Sequence, residues 1–144
     1  MKHQTLKVTR SRSGFTLIEL LVVLVILGLL AGLVGPRVLK YLGSARTDTA
    51  QLQIEEFSAS LDLFHLEVGR YPTSEEGLAA LVEKPAGVDN WQGPYLRKKT
   101  LPIDPWKRSY HYEYPGQNGP FDIYSLGSDN AAGGDGEAAD IVSW

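Results

Sequence analysis

From Phe15 to Val34 the chain runs through twenty residues of which only Thr16 and Glu19 are polar. Wound as a helix, such a run is ~30 Å long, the thickness of a bilayer's hydrocarbon core. The segment therefore reads as a membrane span, and any other part of the fold must be compatible with it. Lys2, Lys7, Arg10 and Arg12 precede it with no acid among the first fourteen residues. That bias favours a cytoplasmic N-terminus, although Arg37, Lys40 and Arg46 beyond the span make the asymmetry modest. The alternative is a secretory signal cut near Ala45. Against it, the run exceeds the usual core of about 7–15 apolar residues, and a carboxylate is an odd feature for a discarded segment.

Glu19 is the informative residue of the run. An acid at mid-bilayer depth costs roughly 2.5–3.5 kcal/mol unless it is paired. It also lies only ~6 Å from the start of the helix, within reach of head groups. On charge alone, a head-group contact and a functional role explain Glu19 equally well. Gly28 and Gly32 form a GxxxG pattern, extended by Ala31 and Gly35, which lets helices approach closely in lipid.

Beyond the span, Gly35-Pro36 is expected to bend or locally melt the helix, because proline removes one backbone bond and crowds the preceding turn. The helical pattern then resumes. Ala50, Ile54, Phe57, Leu61, Phe64 and Val68 follow a 4-3-4-3-4 spacing, with Glu55, Glu56, Asp62 and Glu67 on other faces. Gly69 and Tyr71-Pro72 end it. Such an apolar stripe in water needs cover, and the residues that follow are its natural source. They open with Thr73-Ser74-Glu75-Glu76, a capping box ahead of Leu78, Leu81 and Val82 on one face of a short helix. Pro85 to Pro105, with Trp91, reads as an ordered loop. Ser109 to Tyr114 alternates, with Tyr110, Tyr112 and Tyr114 on one side and His111 and Glu113 on the other. After a turn at Pro115–Gly119, Phe121 to Leu126 is the returning strand. At 144 residues the chain has room for one small α+β domain on the distal half of a long helix.

Composition narrows the chemistry. No cysteine is present, which removes disulfides and thiolate metal sites. His3, His65 and His111 are scattered, and neither a serine elbow nor a phosphate loop is present, so the chain is poorly equipped as an enzyme. Asp104 before Pro105 reads as turn chemistry. From Ser109 to Trp144 there is no Lys or Arg, which disfavours nucleic acid as a partner. In that stretch Asp129, Asp135, Glu137 and Asp140 crowd together among Gly127, Gly133, Gly134 and Gly136. A hard divalent ion with six to eight oxygen ligands would cancel their repulsion, with glycines freeing carbonyls to turn inward. The spacing does not fit an EF-hand, and on charge alone a solvated acidic loop is the slightly simpler reading.

Gly14-Phe15-Thr16-Leu17-Ile18-Glu19-Leu20 resembles the processing site of type IV pilins and pseudopilins. Tyr71-Pro72-Thr73, Glu76-Gly77-Leu78, Gly93-Pro94-Tyr95-Leu96, Pro102-Ile103-Asp104-Pro105-Trp106 and the segment from Asp122 to Asp129 resemble markers of the major pseudopilin of type II secretion systems. The resemblance implies a type IV pilin-like α+β fold: a leader over 1–14, a membrane and polymerisation helix over 15–35, its amphipathic continuation over 36–69, and a periplasmic domain over 70–144. It implies cleavage between Gly14 and Phe15 by a prepilin peptidase, N-methylation of Phe15, and pairing of the Phe15 amino group with Glu19 of a neighbouring copy. It implies single-pass insertion in the bacterial inner membrane. The partners it implies are further copies of the chain in a helical homopolymer, minor pseudopilins and an inner-membrane assembly platform, and the role is export of folded proteins. A salt bridge between Asp62 and Arg97 of neighbouring copies is a further expectation. Calcium is the implied ion, in a loop over 125–140, with Asp129 and Asp140 as side-chain ligands, Leu126 and Ser128 as carbonyl donors, and Asp135 as a further candidate. Two other readings differ in kind. A surface type IV pilin usually carries a C-terminal disulfide, which this chain lacks. A monomeric membrane-anchored binding domain would need neither Gly14 nor Glu19.

Overall fold

The computed structural model describes residues 14–144; the basic residues of the segment 1–13, read above as a leader, lie outside the described residues. One α-helix, α1, spans Leu17–Val68, 52 residues and so about 78 Å of rise. Gly69 ends it with φ +87° and an N–H that donates to the His65 carbonyl at 2.8 Å, a left-handed stop that a Cβ would disfavour. Two compact units make up the chain, Met1–Leu39 and Lys40–Trp144.

In the first unit α1 is apolar on all sides, and its side chains from Leu17 to Val34 are exposed in the single chain. The helix continues through Pro36, contrary to the local melting expected at Gly35-Pro36. Proline forfeits only its own N–H bond, to the Gly32 carbonyl, while the flanking helical bonds remain.

In the second unit the stripe read from the sequence is the core. Ala50, Ile54, Phe57, Leu61 and Phe64 are each 1% exposed or less, and Val68 packs at the edge. Leu78, Ala80 and Leu81 cover them from a short 3-10 turn, Leu78–Leu81. The reciprocal capping box forms just ahead of it: Thr73 N–H donates to Glu76 Oε2 at 2.8 Å and Glu76 N–H to Thr73 Oγ1 at 3.2 Å. The loop after Pro85 is ordered by its aromatics. Trp91 donates its indole N–H to the Ala80 carbonyl at 2.8 Å, and Tyr95 stacks edge-on to Phe64 at 5.6 Å.

Three antiparallel strands close the unit in the order β1 (His111–Glu113), β2 (Asp122–Ser125), β3 (Ile141–Val142). Tyr112 pairs with Ile123, and Ser125 with Ile141. The strands are shorter than the alternating sequence suggests. Asp122 explains one limit, because its carboxylate accepts the N–H groups of Gln117 and Asn118 and so turns the chain instead of extending the ladder. Tyr110 lies in the core with its ring 5.2 Å from Phe57, and Tyr112 donates to the Pro72 carbonyl at 2.8 Å, while His111 faces out.

Candidate functional site

Gly14, Phe15 and Thr16 precede the first helical residue, and Gly14 and Phe15 are exposed. A Cβ built on Gly14 meets nothing within 4 Å, so the fold itself does not require glycine there. Two residues further on, Thr16 caps the helix and Glu19 answers it. Glu19 Oε2 accepts from the Thr16 N–H at 2.8 Å and from its hydroxyl at 2.8 Å, and the Glu19 N–H donates to Thr16 Oγ1 at 3.3 Å. This is a second capping box, which the sequence reading missed although the Thr-x-x-Glu spacing announces it. In the single chain, then, the carboxylate already has donors. Cβ atoms built on Gly28 and Gly32 also meet nothing within 4 Å, leaving that face open to another helix.

Asp62 and Arg97 are both exposed. Asp62 accepts the Tyr71 hydroxyl at 2.9 Å. Arg97 forms no ion pair among the described residues; with Gln53, Glu56 and Lys98 it lines a cleft of about 510 Å³.

In the C-terminal loop, β2 leads out through Gly127 at φ +60°. A Cβ there would lie 2.6 Å from the Ala139 carbonyl oxygen and 2.7 Å from that of Glu137. Only glycine lets the two limbs of the loop approach so closely. Ser128 N–H closes them by donating to the Glu137 carbonyl at 2.7 Å. Asp129 Oδ1 accepts from Ala131 N–H at 3.1 Å, and Asp140 Oδ2 from Gly133 N–H at 2.9 Å, so both carboxylates turn toward the same short bend. The other oxygen of Asp140, Oδ1, is buried with no hydrogen-bond partner. A buried carboxylate oxygen without a donor is costly, and a cation is the partner that fits it. Neither the Leu126 nor the Ser128 carbonyl accepts a backbone hydrogen bond among the described residues. The same loop does not gather three or more carboxylates: no such group of His, Cys, Asp or Glu occurs among the described residues. An ion held here must take carbonyl oxygens as well. Asp135 lines a cleft of about 580 Å³ together with Ser128 and with Lys40, Gly43, Thr47 and Asp48 of α1.

For three residues around the loop, sequence reasoning missed the tertiary partners. Glu137 lays its side chain against Gly43, where a Cβ would collide with it, and pairs with Arg46 at 3.4 Å. Asp104 does more than form a turn. It is 3% exposed, and its Oδ1 accepts from Trp106 N–H at 3.0 Å and Arg108 N–H at 2.7 Å, while Oδ2 accepts the Ser125 hydroxyl at 2.7 Å. Arg108 reaches from that carboxylate to the Gly127 carbonyl. A signal for Arg108 was present, since it is the last basic residue before the Lys- and Arg-free stretch from Ser109 to Trp144.

Elsewhere in the unit the Arg70 guanidinium, bonded to Glu76 at 2.6 and 2.8 Å, holds the Glu76 carboxyl below its usual range. Burial pushes the Tyr110 and Tyr112 hydroxyls well above theirs.

The family model described as type II secretion system (T2SS), protein G, matches residues 37–144, and that of the prokaryotic N-terminal methylation motif matches residues 9–35. The type II secretion system core protein G of Pseudomonas aeruginosa is 48% identical over 139 residues, spanning 94% of this chain and 96% of that protein. Its counterpart from Vibrio cholerae is 41% identical over 142 residues, spanning 96% of each. Among solved structures, the major pseudopilin from the type 2 secretion system of enterohaemorrhagic Escherichia coli aligns with a TM-score of 0.59 at 34% identity. That alignment covers 70% of this chain and 88% of the other.

Proposed function

The chain belongs to the type II secretion system protein G family, and from that premise we propose that it is a membrane-anchored structural subunit that polymerises into a pseudopilus and supports export of folded proteins. The observation that carries this reading is the first half of α1, exposed and apolar on every side, with one carboxylate at its start. A surface of that kind is stable only in lipid or against other helices. In our reading, a prepilin peptidase cuts between Gly14 and Phe15, and the new Phe15 amino group is methylated. Glu19 of one copy then pairs with the Phe15 amino group of the next. Inside an apolar filament core that pair sets register, because a misplaced copy leaves one charge bare. The leader is residues 1–14, the spanning helix 15–35 and its amphipathic continuation 36–69, with 70–144 in the periplasm and the anchor in the inner membrane. Minor pseudopilins and an inner-membrane assembly platform are the proposed partners, and an Asp62–Arg97 bridge between copies is a weaker, repeated contact.

Glu19→Val tests the reading: the variant should be processed and inserted, yet form no filaments by negative-stain microscopy of overexpressing cells. Filament yield equal to that of the unsubstituted chain would overturn it. For the bridge, charge reversal at Asp62 should reduce filaments and reversal at Arg97 should restore them; absence of rescue removes it.

Calcium belongs to the same proposal. Asp129, Asp140 and the Leu126 and Ser128 carbonyls would hold the ion, and the orphaned Asp140 Oδ1 supports that set. When bound, calcium would supply positive charge and cross-link the two limbs of the loop, the task disulfides perform in other small extracytoplasmic domains. Chelator should lower the melting temperature of the full chain in detergent micelles and leave Asp129→Ala nearly unchanged. Coincident melting curves with calcium and with chelator would remove the ion from the reading.

A further inference from the structure

Carbonyl donors work only if something aims them, and the loop's carbonyls lie on either side of a glycine. We infer that Arg108, anchored on buried Asp104, is a positioning residue that holds the peptide group between Gly127 and Ser128 and thereby aims the Leu126 and Ser128 carbonyls at a bound cation. The inference rests on the calcium reading above and adds a residue and a device to it.

That peptide group is gripped at both ends. Its oxygen, on Gly127, accepts from Arg108 Nη2, and its N–H, on Ser128, donates to the Glu137 carbonyl at 2.7 Å. A peptide unit is planar, so holding its oxygen and its hydrogen leaves it only rotation about the line between them, which the flanking chain limits. The planes on either side share its Cα atoms, and they carry the Leu126 and Ser128 carbonyls. Gly127 needs this restraint more than any other residue type, because without a Cβ it has the widest φ/ψ range to lose. Arg108 in turn is not free to wander. Its own N–H and the Ser125 hydroxyl sit on the two oxygens of Asp104, and its Nε lies 3.8 Å from Asp104 Oδ2. Nε is buried and makes no hydrogen bond, so Asp104 acts on the guanidinium as a counter-charge, and the directed bond goes to Gly127.

Charge alone predicts the opposite effect, which makes the inference testable by sign. A guanidinium near a divalent cation repels it, so removing Arg108 should tighten calcium binding if only Coulomb forces act. If Arg108 positions carbonyls, removing it should weaken binding by roughly 10- to 100-fold, the usual cost of losing an outer-shell partner of a metal ligand.

The experiment is calorimetric titration of the full chain in detergent micelles with calcium chloride, paired with melting curves in calcium and in chelator. Arg108→Ala should bind the ion at least about tenfold more weakly. The calcium-induced rise in Tm should shrink more than the Tm in chelator falls. Arg108→Lys should recover most of the affinity, since an ammonium can still donate to the Gly127 carbonyl. Arg108→Met keeps the apolar stem, drops the donor, and gives the same reading if the alanine variant does not fold. Binding as tight as or tighter than the unsubstituted chain overturns the inference, as does an equal fall of both melting curves at unchanged affinity. A failure of the unsubstituted chain to bind calcium overturns the underlying reading instead, and the inference with it.

Discussion

Asp104→Ala should be among the most destabilising single changes in the second unit, and the structure sets its size. The carboxylate is 3% exposed and accepts three hydrogen bonds, from Ser125 at 2.7 Å, Trp106 at 3.0 Å and Arg108 at 2.7 Å. The three donors do not lose equally. Ser125 is 1% exposed, so its hydroxyl has no water to turn to and forfeits about 1–3 kcal/mol. Trp106 and Arg108 are half-buried, and their N–H groups rehydrate in part. The Arg108 guanidinium loses its counter-charge, but its side chain is 32% exposed, so solvent screens much of that loss. The net cost comes to about 3–4 kcal/mol for alanine and about 2 for asparagine, which keeps one acceptor. In a unit of this size the alanine loss is about 14–18 °C in Tm. Urea unfolding of the full chain in micelles, followed by tryptophan fluorescence in chelator, isolates the network from any bound ion. A loss below about 1 kcal/mol for Asp104→Ala would refute the reasoning.

Further expectations follow from single contacts. Gly14→Leu should leave the fold intact, because nothing lies within 4 Å of a Cβ there, while blocking cleavage; intact-mass measurement of a chain beginning at Phe15 would contradict this. Lys107 sits at φ 68° on an exposed turn, so Lys107→Gly should stabilise by about 0.5–1 kcal/mol, the left-handed cost less glycine's extra entropy, read from the urea midpoint. Glu76 has its folded pKa depressed by Arg70, so the pair's contribution is complete at neutral pH and is lost as pH falls below about 4.5 through the folded value. Because Arg70 is 39% exposed, that contribution is about 1 kcal/mol or less, and the stability gap between the unsubstituted chain and Glu76→Gln should narrow progressively as pH falls below about 4.5. Gly43→Leu should destabilise by about 1–3 kcal/mol, since the new side chain meets Glu137, and truncating the partner as well, in Gly43→Leu with Glu137→Ala, should recover part of the loss.

The features legible in the sequence are those carried by local spacing. The apolar run from Phe15 to Val34, the core stripe from Ala50 to Phe64, the capping box at Thr73 and the hairpin around Pro115–Gly119 are each set by residues within a few positions of one another. Period and length fix which face is apolar whatever the rest of the chain does. The segment around Gly14-Phe15 that matches the N-terminal methylation motif is equally local. The strand ends were not, because a ladder stops where its partner stops: β3 is only two residues long, and Asp122 spends its carboxylate on the turn.

The acidic loop divides along the same line. Its glycines and acids stand in the sequence, but their partners come from far along the chain. Arg46 meets Glu137 across 91 positions, Ser125 meets Asp104 across 21, and Arg108 meets Gly127 across 19. Sequence determined that the loop is acidic with no basic residue near it along the chain. Tertiary structure decided which oxygens are satisfied, which one of Asp140 is left over, and that Asp104 is a buried anchor as well as a turn residue. The physical reason is that burial and hydrogen-bond satisfaction belong to pairs of surfaces brought together by folding, and neither surface is defined by its own neighbours in the chain.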